Sequence, residues 1–182
     1  ELMHNLIDVI MENQDYIMQV VMDETGKPIQ EAMSMEIYSA IDSLAFYAKR
    51  APKWLKDESR SMHGPMQFLK KTKVAFKPRG VIGVITPWNG PFILSINPAI
   101  QAVLAGNSVI IKPSEVTPKS GMLVEEMFKK ADAPDNLVQV LVGDGQVGAD
   151  LINLKPDKVS FTGSIKTGKL IARQCGESLI PF

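Results

Sequence analysis

At 182 residues, with 45% apolar and 22% charged side chains, the chain has the make-up of a folded protein, which excludes a disordered segment and, by length, a large multidomain machine. Its 20 Lys+Arg balance 20 Asp+Glu, so the overall electrostatic footprint of a nucleic-acid binder is missing. Cys175 is the single cysteine and cannot close an internal disulfide, and neither His4 nor His63 has a metal-ligand partner at useful spacing, so a reduced, metal-free cytoplasmic protein is expected.

Leu6, Ile10, Ile17, Val20 and Val21 fall on one helical face, with Asp8, Glu12 and Asp15 mostly off it, which predicts an amphipathic helix over 2–22. It ends before Thr25-Gly26-Lys27-Pro28. A second helix is expected from about Glu31 to Lys49 on the strength of Ile37, Ile41, Leu44, Ala45 and Ala48, with Pro52 as its stop. Both read as packing elements.

Residues 51–80 carry 8 basic and 2 acidic side chains. With few aromatics to stack on bases, this stretch reads as a solvated face or subunit edge rather than a nucleic-acid patch. After Gly64-Pro65, the β-branched and aromatic enrichment of Phe68 to Phe76 predicts a strand, and lysines 70, 71, 73 and 77 suit an edge. Residues 80–111 then contain no charged side chain over 32 positions. Pro87, Pro91 and Pro98, with Asn89, Asn97, Gln101 and Asn107, argue against a membrane span and for buried core.

From Gly80 the pattern alternates. Strand Val81 to Ile85 is followed by a turn and a helix near Pro98 to Ala105, in which Asn97 is placed to cap, Pro98 suits the first helical position and Gly106 ends it. Strand Ser108 to Lys112, helix 118–131, strand Leu137 to Val142, helix 146–154, strand Lys158 to Phe161 and helix Ser164 to Gln174 complete the series. Short apolar strands alternating with helices predict a doubly wound parallel α/β sheet. Such sheets bind ligands beyond the carboxyl ends of their strands, which directs attention to the turns at 86–91, 112–117, 143–146 and 162–165.

Each turn offers chemistry alongside a plainer explanation. Gly143-Asp144-Gly145-Gln146-Val147-Gly148 matches G-x-G-x-x-G between a strand and a helix, as a dinucleotide fingerprint does; it follows the third strand of the series, so a tight turn approached by something flat is the other reading. At Thr162-Gly163-Ser164 a strand runs into a helix that Ser164 can cap, a natural seat for a phosphate or an ordinary turn, and Gly168 lets that helix lie close to sheet or ligand. Lys112-Pro113-Ser114-Glu115 sets a donor and an acceptor for vicinal hydroxyls at a strand end, or a surface ion pair. In Thr86-Pro87-Trp88-Asn89-Gly90-Pro91 the prolines fix a loop that presents the flat wall of Trp88 and the amide of Asn89, an oxyanion donor or a brace for the turn. Cys175 reads as a small core residue.

Taken together, residues 78–89 (Pro-Arg-Gly-Val-Ile-Gly-Val-Ile-Thr-Pro-Trp-Asn), residues 105–115 (Ala-Gly-Asn-Ser-Val-Ile-Ile-Lys-Pro-Ser-Glu) and Phe161-Thr162-Gly163-Ser164 resemble the NAD(P)-dependent aldehyde dehydrogenase superfamily, as does Glu24-Thr25-Gly26-Lys27-Pro28. The resemblance implies a Rossmann-like α/β sheet and oxidation of an aldehyde to a carboxylic acid through a covalent thiohemiacetal and thioester, with hydride transfer to NAD or NADP. In this family the Asn89 amide helps stabilise the oxyanion, Lys112 and Glu115 meet the adenosine ribose, Ser164 beside Gly163 receives the pyrophosphate, and Gly143 to Gly145 lie near the adenine. Thr86, Pro87, Trp88, Pro113, Ser114 and Gly168 complete the implied cofactor-binding set, and no metal is implied.

The same resemblance implies that residues 1–182 form a partial NAD(P)-binding domain, with N-terminal helices over 1–61, oligomerisation-type strands over 62–80 and a βα cofactor-binding repeat over 81–182. The nucleophilic Cys and general-base Glu would lie in an absent catalytic domain, and Cys175 does not match the nucleophile motif. Expected partners are a small-molecule aldehyde and a second copy, in a homodimer or homotetramer, with no nucleic acid or membrane. A carboxylate at Glu115 facing the ribose favours NAD over NADP, with Lys112 offsetting part of that preference. The rival from another class is a truncated, non-catalytic nucleotide-binding or interaction module.

Overall fold

The N-terminal apolar stripe folds as two helices where the sequence predicts one. In the structure, a computed structural model describing residues 1–182 apart from the Met66 side chain, α1 (Leu2–Glu12) buries Met3, Leu6 and Ile10, and α2 (Gln14–Thr25) buries Ile17, Met18 and Val21. The break is at Asn13, whose backbone leaves helical geometry (φ −104°, ψ 11°) while its Nδ2 donates to the Val9 carbonyl at 2.7 Å. A side chain that bonds its own backbone in this way competes with helix continuation. Gly26, at φ 71°, ends α2 in the left-handed cap conformation.

The second predicted helix is longer and less regular than expected. A single turn, α3 (Ile29–Glu31), passes through a π-helical stretch at Ala32–Tyr38 into α4 (Ser39–Trp54). The widened turns shift the register. They carry Ala32, Glu36 and Ile37 into the interior, and leave Ala40, Leu44 and Ala51 buried on α4 while Ala45, expected on the inner face, is exposed. Pro52 falls in the last turn of α4, and the helix ends two residues later.

The basic stretch forms a small antiparallel ribbon. Strand β1 (Glu58–Arg60) pairs with β2 (Thr72–Val74), Glu58 opposite Val74 and Arg60 opposite Thr72. The ribbon begins in the 1–61 segment assigned to the N-terminal helices, beyond their expected stop at Pro52, and the predicted strand from 68 to 76 shrinks to β2, since Pro65–Phe68 makes a 3-10 turn instead. All six strand residues are exposed.

The alternating half forms as expected. Strands β3 (Val81–Ile85), β4 (Ser108–Lys112), β5 (Val138–Val140) and β6 (Lys158–Phe161) make a parallel sheet in the order β5-β4-β3-β6. Ile85 pairs with both Lys112 and Phe161, so three strands end level. Helices α5 (Ile93–Leu104) and α6 (Pro118–Lys130) share one face with α1, α2 and α4, over a core containing Ile82, Val84, Val109 and Ile111. Helices α7 (Gly145–Asn153) and α8 (Ile165–Glu177) contribute to a smaller core on the other face, with Leu151, Val159, Ile171 and Cys175. The strand order reverses direction between β3 and β6, where such sheets open a crevice.

Helix α5 starts five residues before the predicted Pro98, which lies in its interior, and Asn97 does not cap it. The cap comes from elsewhere in the chain. Glu36 Oε2 accepts from the backbone amides of Phe92 (3.1 Å) and Ile93 (2.8 Å). Helix α6 is capped the same way, its Lys119 and Ser120 amides donating to the Glu24 carboxylate at 2.9 and 2.7 Å and the Ser120 hydroxyl at 2.6 Å. Both are orphan first-turn donors, satisfied by carboxylates that also complement the positive helix end.

A candidate coenzyme cleft

The cleft lies where the topology places it, beyond the carboxyl ends of β3, β4 and β6. Its volume is about 500 Å³, within the range of small-molecule and cofactor sites. Thr86 and Pro87 line it after β3, Lys112, Ser114 and Glu115 after β4, Gly145 at the start of α7, and Gly163 and Ser164 after β6. Eight of the thirteen expected site residues therefore converge on one space from four separate turns.

The polar end is the Lys112–Glu115 pair. Lys112 is buried, and its Nζ donates to Glu115 Oε2 at 3.1 Å. Glu115 reaches toward solvent, and its own backbone amide, followed by Lys112, holds its carboxyl below the ordinary range. The pair leaves acceptor lone pairs and ammonium protons able to meet adjacent hydroxyls. Thr86 is tied back into the fold, its amide donating to the Lys112 carbonyl at 3.2 Å and its hydroxyl lying 2.8 Å from that of Ser95.

The opposite end is the N-terminus of α8. Ser164 caps it, accepting from the Thr167 amide at 3.2 Å, and the remaining first-turn amides give the end its affinity for an anion. A Cβ on Gly163 would lie 2.6 Å from Phe161 Cζ, and one on Gly168 would lie 3.2 Å from its Cε1. The two glycines therefore vacate the space occupied by the Phe161 ring, which lines the cleft.

Five expected residues do not line the cleft. Pro113 is turned against α6, and Gly143, at φ 154°, is turned against Val147. Gly168 sits behind Phe161. Trp88 and Asn89 project from the loop between β3 and α5, Trp88 with 55% of its surface exposed. Gly148, the last glycine of the G-x-G-x-x-G match, also lines the cleft, and residues missed in the sequence are the apolar Ala149, Ile152, Leu170 and Ile171 and the polar Thr167 and Gln174. The helical spacing of Ile171 and Cys175 marks one face of α8, but which part of it meets a ligand follows only from where the helix sits.

A parallel sheet with a cleft of this size at its reversal point, the Lys112–Glu115 pair at one end and a capped helix start at the other, is a doubly wound α/β fold of the kind that takes ligands at that point. The chain belongs to the aldehyde dehydrogenase family, whose model matches residues 1–182. It is 43% identical over 173 residues to 4,4'-diapolycopene aldehyde oxidase of Methylomonas sp, covering 94% of this chain and 32% of that protein. A Mycolicibacterium smegmatis protein named for succinate semialdehyde and NADP(+) is 38% identical over 181 residues, covering 100% of this chain and 34% of its own length. The NAD+ complex of an aldehyde dehydrogenase from Bacillus cereus superposes with a TM-score of 0.89 at 32% identity, over 98% of this chain and 36% of that one. The chain thus spans about a third of the length of the curated relatives it matches.

Proposed function

We propose that residues 1–182 are the coenzyme-binding part of a cytoplasmic, NAD(P)-dependent aldehyde dehydrogenase that oxidises an aldehyde to a carboxylic acid. The observation that carries this reading is the convergence on one cleft of the Lys112–Glu115 pair and the Ser164-capped start of α8. The residues fit a dinucleotide: Glu115 and Lys112 would hold the adenosine ribose, and the first-turn amides of α8 beside Gly163 would hold the pyrophosphate. Bound there, the nicotinamide supplies the hydride acceptor. The Asn89 amide, on a loop stiffened by Pro87 and Pro91, would donate to the oxygen of the aldehyde carbon as it gains negative charge. Cys175, buried on the inner face of α8, is not the nucleophile in this reading, and the nucleophile and general base are assigned to the remainder of the enzyme.

Glu115, charged at neutral pH, disfavours a 2′-phosphate, so NAD is the preferred coenzyme. Steady-state kinetics on the full-length enzyme test both readings. Asn89→Ala is expected to lower kcat by about 10²–10³-fold, the usual loss of an oxyanion donor, with the wild-type Michaelis constant lower for NAD than for NADP. Full turnover in the folded variant removes the role from Asn89, and a strong NADP preference removes the one given to Glu115.

A further inference from the structure

The Glu24-Thr25-Gly26-Lys27-Pro28 turn is far from the coenzyme cleft in sequence, and none of its residues lines it. It nevertheless reaches the loop that carries Asn89. Lys27 Nζ donates to the Asn89 carbonyl oxygen at 3.1 Å and is ion-paired with Glu36 Oε1. The second oxygen of the same carboxylate takes the amides of Phe92 and Ile93. The loop between β3 and α5 is therefore gripped at its middle, Asn89, and at its α5 end by one charge pair.

The pair is costly to place. The side chain of Glu36 is 0% exposed and that of Lys27 is 8% exposed. Replacing a buried ion pair by apolar residues is frequently neutral or stabilising, so stability alone gives a weak reason for it. A local Ser or Asn would satisfy the first turn of α5 without any buried charge. What a local cap would lack is a connection to the Asn89 carbonyl, and thus a fixed peptide plane from which the Asn89 side chain departs. The exposed Asn89 side chain makes no hydrogen bond among the described residues, so within the fold only its backbone fixes the point and bond vector from which the amide extends.

We infer that Lys27 and Glu36 are positioning residues for the oxyanion amide: the ammonium holds the Asn89 peptide, the carboxylate holds the amides at the start of α5, and together they fix the direction in which Asn89 donates. This rests on the role proposed for Asn89. Misplacing a reacting group by about 1 Å can lower turnover by about 10²-fold with binding elsewhere intact.

The test is a mutant cycle on the full-length enzyme with Lys27→Met, Glu36→Gln, Asn89→Ala and the Lys27→Met/Asn89→Ala double variant. Glu36→Gln keeps an oxygen to accept from Phe92 and Ile93 but turns an amide group toward Lys27, so it breaks the link while preserving the cap. Lys27→Met and Glu36→Gln are each expected to lower kcat by about 10-fold or more while the NADH dissociation constant, read by fluorescence, stays within about twofold. The double variant is expected to be no slower than Asn89→Ala alone by more than about twofold, because the two changes remove one function. Where Lys27→Met does not fold, Glu36→Gln and its double with Asn89→Ala carry the same comparison. Unchanged kcat in a folded Lys27 or Glu36 variant overturns the inference, as does a double variant whose losses multiply or a loss confined to NADH binding. A fast Asn89→Ala variant overturns the oxyanion reading itself, whereas a slow Asn89→Ala beside a fast Lys27→Met overturns the positioning alone.

Discussion

Cys175 shows how a single side chain's surroundings decide its chemistry. It is 1% exposed, and burial pushes its thiol above the usual range. A raised thiol pKa means that the fold favours the neutral form: the associated stability is fully present below the unfolded-chain pKa and is lost as pH rises through the folded one. At neutral pH the group is therefore a protonated, poorly nucleophilic member of the α8 core. Iodoacetamide at pH 8 followed by peptide mapping should leave Cys175 unlabelled in the native protein and label it in denaturant; equal labelling in both would contradict this. Glu115 shifts the opposite way, so its carboxylate persists on acidification to below the ordinary range. The places of Lys112, Glu115 and Ser164 at the cleft were legible in the sequence because they follow from strand ends and turns marked within a few residues. Lys27 and Glu36 were not, since their partners lie 62 and 56 residues away.

Among the elements, strands β3, β4 and β6 and helix α6 match their predicted extents within a residue, because alternating apolar runs and Pro or Gly punctuation are local signals. The break at Asn13 depends on a particular side-chain hydrogen bond and the early start of α5 on a distant carboxylate, and periodicity carries neither. Gly121 in α6 offers a test of how this packing supports the cleft. A Cβ there would lie 2.3 Å from Cβ of Pro113, the residue between Lys112 and Ser114. In a free helix Gly→Ala stabilises by about 1 kcal/mol. Here the proline ring cannot yield, so Gly121→Ala should instead destabilise by about 1–3 kcal/mol, the usual range for overpacking. Displacement of the 112–115 turn should weaken coenzyme binding as well. Urea denaturation and an NADH titration of the full-length variant would show both; a gain in stability with unchanged affinity would refute the account.

For the whole molecule, the sheet and its helices account for the buried core, while the β1–β2 ribbon has no core of its own. Two strands alone are marginal in water, and the turn that joins these carries Phe68 and Leu69 at 84% and 79% exposure. From the resemblance of this stretch to oligomerisation strands and its bare surface we propose that a second copy of the chain covers it. Light scattering on the full-length enzyme should give a dimer or tetramer, and removing residues 58–74 should reduce the assembly; a wild-type monomer would contradict the proposal. Among the described residues no helix is long and apolar enough to cross a membrane. The two carboxylates that cap α5 and α6 also bear on how the chain is made. Synthesis delivers Glu24 and Glu36 well before the amides they accept, 96 residues before in the case of Ser120. Until those amides emerge, burying Glu24 would strand a charge in an apolar interior, and burying Glu36 would leave the oxygen that Lys27 does not meet without a donor. The nascent helical layer is thereby kept from sealing on itself and stays open to receive the sheet when translation reaches it.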